Sequence, residues 1–213
     1  TTAIFPDYFL GVTNNIVTFF GITLFNDVLM SYIISASFLI MALSSPFLTA
    51  MADYSGRKKL FMQFFFYIVS LECILVYFFK PEQGTDFVST SILLIGITAF
   101  FLALIGYGGS IVFYNSFLPE ITDESDYDRV SAKGFSLGYI GSVLLLIINL
   151  ATVLAAENKF IDMTVGEAAR LSFVTVGVWW FVFAQYTFHY LPKYSTKTTG
   201  EGSWIFNAVK KLN

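Results

Sequence analysis

The chain has 213 residues, of which 56% are hydrophobic and 13% are charged, with 25 Phe, 12 Tyr and a formal net charge of -3. A soluble domain carries about 25% charged residues, so this is the composition of a membrane protein. No basic stripe with interleaved aromatic residues occurs, which argues against nucleic-acid binding. The single cysteine, Cys73, excludes a disulfide within the chain and is expected to pack as a small apolar side chain.

Long uncharged windows predict the membrane spans, because about 20 apolar residues cross a bilayer and a charge at its centre costs a few kcal/mol. We predict an all-α polytopic membrane protein in which residues 1–192 form one transmembrane bundle. Its six spans are expected at about residues 1–12 (partial), 28–52, 60–79, 89–115, 134–156 and 171–191.

The first span is too short to cross a bilayer, because Gly11, Asn14 and Asn15 interrupt the apolar run. We expect residues 1–12 to be the outer half of a truncated helix, followed by an external loop. The alternative is a complete first span over residues 8–26, which leaves almost no turn before the second span. Both interpretations give six helices.

The cations predict the orientation, because Lys and Arg accumulate in short cytoplasmic loops. Alternate loops carry nine cations on one side and three on the other: Arg57, Lys58, Lys59, Arg129, Lys133, Lys193, Lys197, Lys210 and Lys211 against Lys80, Lys159 and Arg170. This division places residues 53–59 in the cytoplasm. The expected location is the inner membrane of a bacterium.

The tail, residues 193–213, begins polar and ends in the segment WIFNAVKKL. Its apolar residues can share one face of a helix: Trp204, Ile205, Ala208, Val209 and Leu212. The spacing favours an interfacial amphipathic helix on the cytoplasmic surface. A solvated linker is the alternative.

The segment DYSGRKK, residues 53–59, concentrates charge between the second and third spans. Asp53 can cap the following helix, where backbone N–H groups and the helix dipole favour an anion. Gly56 permits a tight turn, and Arg57 and Lys58 can meet lipid headgroups or a carboxylate on a neighbouring helix end. On physical grounds alone, a turn with a positive-inside anchor is the simpler interpretation.

The spacing D-x-x-G-R-K resembles the signature loop of the major facilitator superfamily. Asp53, Gly56, Arg57 and Lys58 match it, whereas Thr49 stands where the family pattern has its leading glycine. The resemblance implies that Asp53 and Arg57 latch two six-helix bundles together on the cytoplasmic face, and so gate transport rather than bind substrate. It also implies that this chain is the N-terminal bundle, with a three-plus-three inverted repeat, and that the C-terminal bundle is its partner.

A second stretch, residues 114–150, is similar to the vacuolar effluxer-like branch of that superfamily, the autophagy-related amino-acid exporters and their bacterial relatives. The residues that fit are Asn115, Phe117, Leu118, Pro119, Glu120, Arg129, Val130, Ser131, Gly134, Gly138, Tyr139 and Gly141. The resemblance implies secondary transport of small solutes, amino acids among them, in the efflux direction.

The same stretch suggests two physical roles. Glu120 lies at the membrane edge after Pro119, and Arg129 follows a cytoplasmic loop, so we expect an ion pair between Glu120 and Arg129. Gly134 and Gly138 form a small-xxx-small pair, which lets helices pack closely in lipid and slide between two packings. Static packing is an equally weighted alternative.

Three ionisable residues lie within apolar runs, where a membrane makes them functional candidates. Glu72 lies 12 residues past Leu60, about 18 Å along a helix, and is the candidate for proton coupling, with a packing role as the alternative. Asp7 follows Pro6 and is expected to line the outer vestibule or to face external water. His189 is more often structural than a proton relay at such a position.

Uncharged polar residues supply further candidates for substrate contact. The superfamily lines its substrate path with the first and fourth helices, so the resemblance favours Tyr107 and Asn115 on the fourth helix over Asn149 on the fifth.

The leading hypothesis is a secondary active transporter that moves a small solute through the bilayer with a coupled proton or ion. A membrane enzyme is disfavoured because one His and one Cys do not supply a nucleophile with its base. A non-transporting scaffold or receptor with a transporter-like fold is the alternative. No cofactor or metal is predicted, since the acidic segment TDESDYD lacks the glycine and distal glutamate of a calcium loop.

Overall fold

The computed structural model describes residues 4–82 and 87–191 and is almost entirely helical. The helices are α1 (Phe5–Val12), α2 (Asn26–Ser55), α3 (Lys58–Leu75), α4 (Thr90–Ser116), α5 (Leu118–Ile121), α6 (Tyr127–Glu157) and α7 (Val165–Tyr190), with 3-10 turns at Val76–Phe78 and Glu124–Asp126. Within the described residues, five helices (α2, α3, α4, α6 and α7) are long and apolar enough to cross a membrane. The predicted all-α membrane fold is therefore confirmed.

Two of the long helices begin six or seven residues before the uncharged windows that predicted them. α6 begins at Tyr127 rather than near residue 134, and α7 begins at Val165 rather than near residue 171. A reciprocal capping box starts α7: Thr164 Oγ1 accepts from the Glu167 backbone N–H at 3.2 Å, and Glu167 Oε2 accepts from the Thr164 N–H at 2.9 Å. An uncharged window marks the part of a helix that fits lipid, whereas caps decide where the helix starts.

The segment after α1, which was expected to be an external loop, forms a β-hairpin. β1 (Ile16–Phe19) pairs antiparallel with β2 (Ile22–Phe25). Phe20 and Gly21 connect the strands with φ angles of 49° and 79°, the positive values that a two-residue type I′ turn needs. A continuous first helix over residues 8–26 is therefore wrong.

The two faces of the hairpin have different surroundings. Val17 is buried, and Phe19 and Leu24 pack against the main core on the same face. The other face exposes Ile16, and the turn exposes 83% of Phe20. The hairpin therefore covers one end of the bundle while presenting apolar side chains outward.

Lysine side chains join three segments at one end of the bundle. Lys58 Nζ donates to the carbonyl of Ser116 at 3.2 Å, and Lys59 Nζ donates to the carbonyl of Leu191 at 2.8 Å. These bonds bring the α2–α3 turn together with the ends of α4 and α7. We call this end, which the cation count predicts to be cytoplasmic, the basic end.

The opposite end holds the larger buried cluster, which is rich in aromatic rings. The Tyr8 hydroxyl donates to the carbonyl of Phe79 at 2.8 Å. The Phe5 ring stacks on Phe100 with 4.4 Å between centroids and meets Phe173 edge-on at 5.7 Å. Although α1 has only eight residues, its rings thus anchor it to α4 and α7.

Glycines allow α3 to pack closely against α4 and α7. A Cβ added at Gly106 of α4 would lie 2.8 Å from Val69 Cγ2, and one added at Gly177 of α7 would lie 2.7 Å from the Ser70 carbonyl oxygen. Small residues at such contacts let helix backbones approach each other in a membrane. α3 therefore packs between α4 and α7 in the described bundle.

α6 lies at the edge of the bundle. Half of the most apolar window of α4 is buried, against 17% of that of α6. Thr175 Oγ1 of α7 donates to Asn149 Oδ1 of α6 at 2.8 Å, while Leu137 and Tyr139 are each 70% exposed. α6 is thus attached through α7 and has a long apolar face that the described residues leave open.

Candidate functional site

The turn between α2 and α3 is short because Gly56 adopts a left-handed conformation. Gly56 follows the end of α2 with φ 61° and ψ 8°, which would cost another residue roughly 1–2 kcal/mol. Arg57 precedes α3 and is exposed. Asp53 lies in the last turn of α2, and its side chain is outside the described residues. Its roles as helix cap and latch therefore stay predictions.

Lys58 points into the protein and pairs with Glu120 of α5. Its Nζ lies 2.9 Å from Glu120 Oε1, and the two side chains are only 10% and 13% exposed. Among the described residues Glu120 Oε1 receives no hydrogen bond of good geometry, so the contact is an ion pair rather than a directed bond. The sequence predicted that these cations would meet either lipid headgroups or a carboxylate, and Lys58 pairs with a carboxylate.

The predicted ion pair between Glu120 and Arg129 is wrong. Arg129 Nη2 instead contacts Asp126 Oδ2 at 2.9 Å, with side chains 65% and 41% exposed. Lys58 at the start of α3 contacts the end of α4 through the Ser116 carbonyl. Because only Phe117 separates α4 from α5, Glu120 stays close to Lys58. Arg129 meanwhile finds a carboxylate three residues away on its own turn.

Gly138 makes no close helix contact within the described residues. A Cβ added at Gly138 would meet nothing within 4 Å, and one added at Gly134 would lie 2.5 Å from the Tyr114 hydroxyl. Within the described residues, close helix contacts of this kind occur at Gly106 and Gly177. A sliding contact at Gly134 and Gly138 would need a surface beyond these residues and stays a prediction.

Glu72 lies half-buried on the side of α3 that packs against α4. Val69 and Val76, on the same side of the helix, are buried, and Val69 contacts Gly106. No hydrogen bond or ion pair joins the Glu72 carboxylate to another side chain in the described part of the chain. A carboxylate at bilayer depth without a described partner is a candidate for a proton site.

The other predicted substrate residues lie at separate levels of the bundle. Asp7 is exposed in the first turn of α1. Tyr107 is 44% exposed near the middle of α4, edge-on to Trp180 at 5.8 Å. Asn115 is exposed in the last turn of α4, about 12 Å farther along that helix. These residues do not form one cluster within the described bundle.

Residues 10–213 match a family model described as "Vacuole effluxer Atg22 like". The chain belongs to this family. The resemblance to the effluxer-like branch of the major facilitator superfamily is thereby confirmed, and a family of transporters points away from an enzyme.

Two relatives show how far the similarity extends. The "Uncharacterized MFS-type transporter YxiO" of Bacillus subtilis (strain 168) is 33% identical over 184 residues, which cover 86% of this chain and 40% of the relative. "Autophagy-related protein 22-1" of Aspergillus terreus (strain NIH 2624 / FGSC A1156) is 25% identical over 235 residues, covering 79% of this chain and 37% of the relative. The chain thus spans about 40% of the length of the curated relatives it matches. No solved structure matches the chain.

Arg170 of this Atg22-like bundle makes contacts that the sequence did not predict. The sequence identified it only as one of the three cations on the outer side. Its guanidinium lies 5.8 Å from the centroid of the Tyr77 ring and beside Tyr8, so it connects the start of α7 with α1 and with the 3-10 turn after α3. Its Nε is buried without a hydrogen-bond partner among the described residues. The sequence signal that could have pointed to this residue is an arginine directly before the apolar run that begins at Leu171.

Proposed function

We propose that this chain is the N-terminal half of a secondary active transporter that moves a small solute across a membrane by alternating access. The observation that carries the proposal is the ion pair between Lys58 and Glu120. It joins the signature turn after α2 to the connection between α4 and α6, and so links α1–α3 with α4–α7 at the basic end. Rocking of one half against another requires each half to move as a unit.

Asp53 and Arg57 are the proposed latch to the second half. Arg57 supports this role because its side chain is exposed, whereas its neighbour Lys58 is committed to Glu120. The open face of α6, with Gly134 and Gly138, is the proposed surface against which the second half moves.

The proposed cargo is a small solute that leaves the compartment, and amino acids are the first candidates to test. The proposal is supported by the description of the family as effluxers. Glu72 is the proposed site of the coupled proton, and Asp7, Tyr107 and Asn115 are proposed substrate contacts. We place the protein in the inner membrane of a bacterium, with the basic end in the cytoplasm.

The test is transport by the full-length protein in proteoliposomes. A panel of radiolabelled amino acids is measured by counterflow, and substrate binding is followed as a shift in thermal unfolding. Asp53→Ala and Arg57→Ala should each abolish counterflow while the substrate still shifts the unfolding temperature. Lys133→Ala, which removes an exposed cation of α6, is the matched control and should transport normally.

Two outcomes contradict the proposal at different points. Normal counterflow in both latch variants would leave residues 53–59 as a membrane anchor only. A folded wild-type protein that binds an amino acid of the panel and moves none would favour the scaffold or receptor alternative.

A further inference from the structure

A groove runs between the start of α3 and the end of α7 at the basic end. It encloses about 600 Å³ and is lined by Arg57, Lys59, Leu60, Gln63, Gln185, Phe188 and His189. Two of these side chains are cations, and the imidazole and the two amides supply further polar groups. Among the described side chains that line the groove, none is acidic, so this polar wall suits an anion.

Contacts with neighbouring groups hold two of the lining side chains in place. Lys59 Nζ donates one proton to the carbonyl of Leu191 at 2.8 Å, and an ammonium has two more to donate. Gln185 Oε1 accepts a bond from the Tyr67 hydroxyl at 3.4 Å. The groove is therefore built by α3 and α7 together.

The polar part of the groove is long enough to cross the headgroup layer of a bilayer. Arg57 and Gln63 are six residues apart, about 9 Å along α3, which exceeds the polar layer of about 5–7 Å on each side of a bilayer. Beyond Gln63 the exposed side chains of α3 are apolar or aromatic: Phe64, Tyr67, Leu71 and Leu75. The polar groove thus opens onto an apolar stripe directed toward the bilayer centre.

We propose that this groove binds the phosphate of an anionic phospholipid. The phosphate lies against Arg57, Lys59 and His189, and an acyl chain follows the apolar stripe of α3. A free phosphate would leave that stripe without a function. Residues 193–213 are a poor occupant, because they contain four lysines and one glutamate.

The consequence is that a lipid shares Arg57 with the proposed latch. A bound phosphate would compete with a carboxylate of the second half for this guanidinium. The lipid composition of the membrane would then bias the gate directly.

The experiment measures lipid binding to the purified full-length protein by native mass spectrometry. The protein is exposed to equal amounts of phosphatidylglycerol and phosphatidylcholine, and bound molecules of each are counted. Gln63→Glu and Gln185→Glu place a carboxylate in the groove without changing side-chain size. Each should reduce bound phosphatidylglycerol relative to phosphatidylcholine about fivefold, the factor expected for one charge at an anionic membrane surface.

The matched control is Lys133→Gln, which changes the net charge by the same amount on α6, away from the groove. It should keep the wild-type preference for phosphatidylglycerol. An equal loss in all three variants would mean unspecific attraction and would overturn the proposal. Inorganic phosphate that displaces phosphatidylglycerol at equal concentration would assign the groove to a free anion instead. Because lipid counting needs no transported solute, this result is independent of the transport assay.

Discussion

Single residues decide what the basic end can do, and Lys58 is the one among them that faces inward. Lys58 and Lys59 begin α3, where the helix turns by 100° per residue, and Arg57 precedes the helix. Lys58 reaches Glu120, whereas Arg57 is exposed and Lys59 reaches α7. Lys58 therefore stabilises the bundle, while Arg57 and Lys59 line the groove between α3 and α7.

Lys58→Met should destabilise the full-length protein by about 3 kcal/mol, because it leaves the Glu120 carboxylate buried without its cation. Thermal unfolding in detergent, followed by tryptophan fluorescence, measures the loss. The double variant Lys58→Glu, Glu120→Lys should recover part of it, since the charges again oppose each other.

The matched control for this pair is Asp126→Asn, which breaks the exposed pair with Arg129. A surface ion pair contributes about 0–1 kcal/mol, so the unfolding temperature should hardly change. Equal losses of stability in Lys58→Met and Asp126→Asn would show that the ion pair between Lys58 and Glu120 stabilises the protein no more than an exposed ion pair does.

Glu72→Gln should abolish accumulation driven by a pH gradient while leaving substrate binding intact, because the amide cannot carry the coupled proton. Uptake into proteoliposomes with and without the gradient measures the effect. Glu157→Gln makes the same chemical change at the exposed end of α6 and should remain coupled. Continued accumulation in Glu72→Gln would leave that residue a packing role.

The packing of whole helices decides where a small residue is required. Gly177 lies at a close contact with α3, whereas Gly138 lies on an open face of α6 within the described residues. Gly177→Ala should destabilise the protein by roughly 1–3 kcal/mol, because the new methyl group would overpack the contact with the Ser70 carbonyl. Thermal unfolding of the full-length protein measures it.

Gly138→Ala is the control for Gly177→Ala, because it makes the same substitution at another helix glycine. The face of Gly138 is open within the described residues, and alanine favours a helix over glycine by about 1 kcal/mol, so stability should hold or rise. Loss of stability in Gly138→Ala would mean that another surface covers this part of α6 closely. Transport by the same variant tests whether the glycine serves movement.

The elements also show what the sequence could predict. Uncharged windows predicted helices at α2, α3, α4, α6 and α7, because lipid requires long apolar helices. The hairpin was missed because its turn uses Phe20, a rare residue at positive φ, in place of the usual asparagine. The sequence also could not identify Lys58 as the cation that pairs with Glu120, because the rotation of α3 about its own axis decides which cation faces inward.

At the scale of the whole molecule, orientation gives a direct prediction. Cysteines are placed at Lys133, near the basic end, and at Asp162, near the opposite end, in an otherwise cysteine-free full-length protein. A membrane-impermeant maleimide should label Asp162→Cys in intact cells and Lys133→Cys only after permeabilisation. The reverse pattern would invert the orientation inferred from the cations.

The bond from Lys59 to the carbonyl of Leu191 has a mechanical consequence. This bond holds Leu191, where α7 ends, to the start of α3, so in the proposed transporter a pull on the chain after residue 191 would reach the start of α3. A covalent connection to the proposed second half would then act on the gate separately from any contact between the two halves. Shortening that connection should shift the gate even where every side chain of the latch is kept.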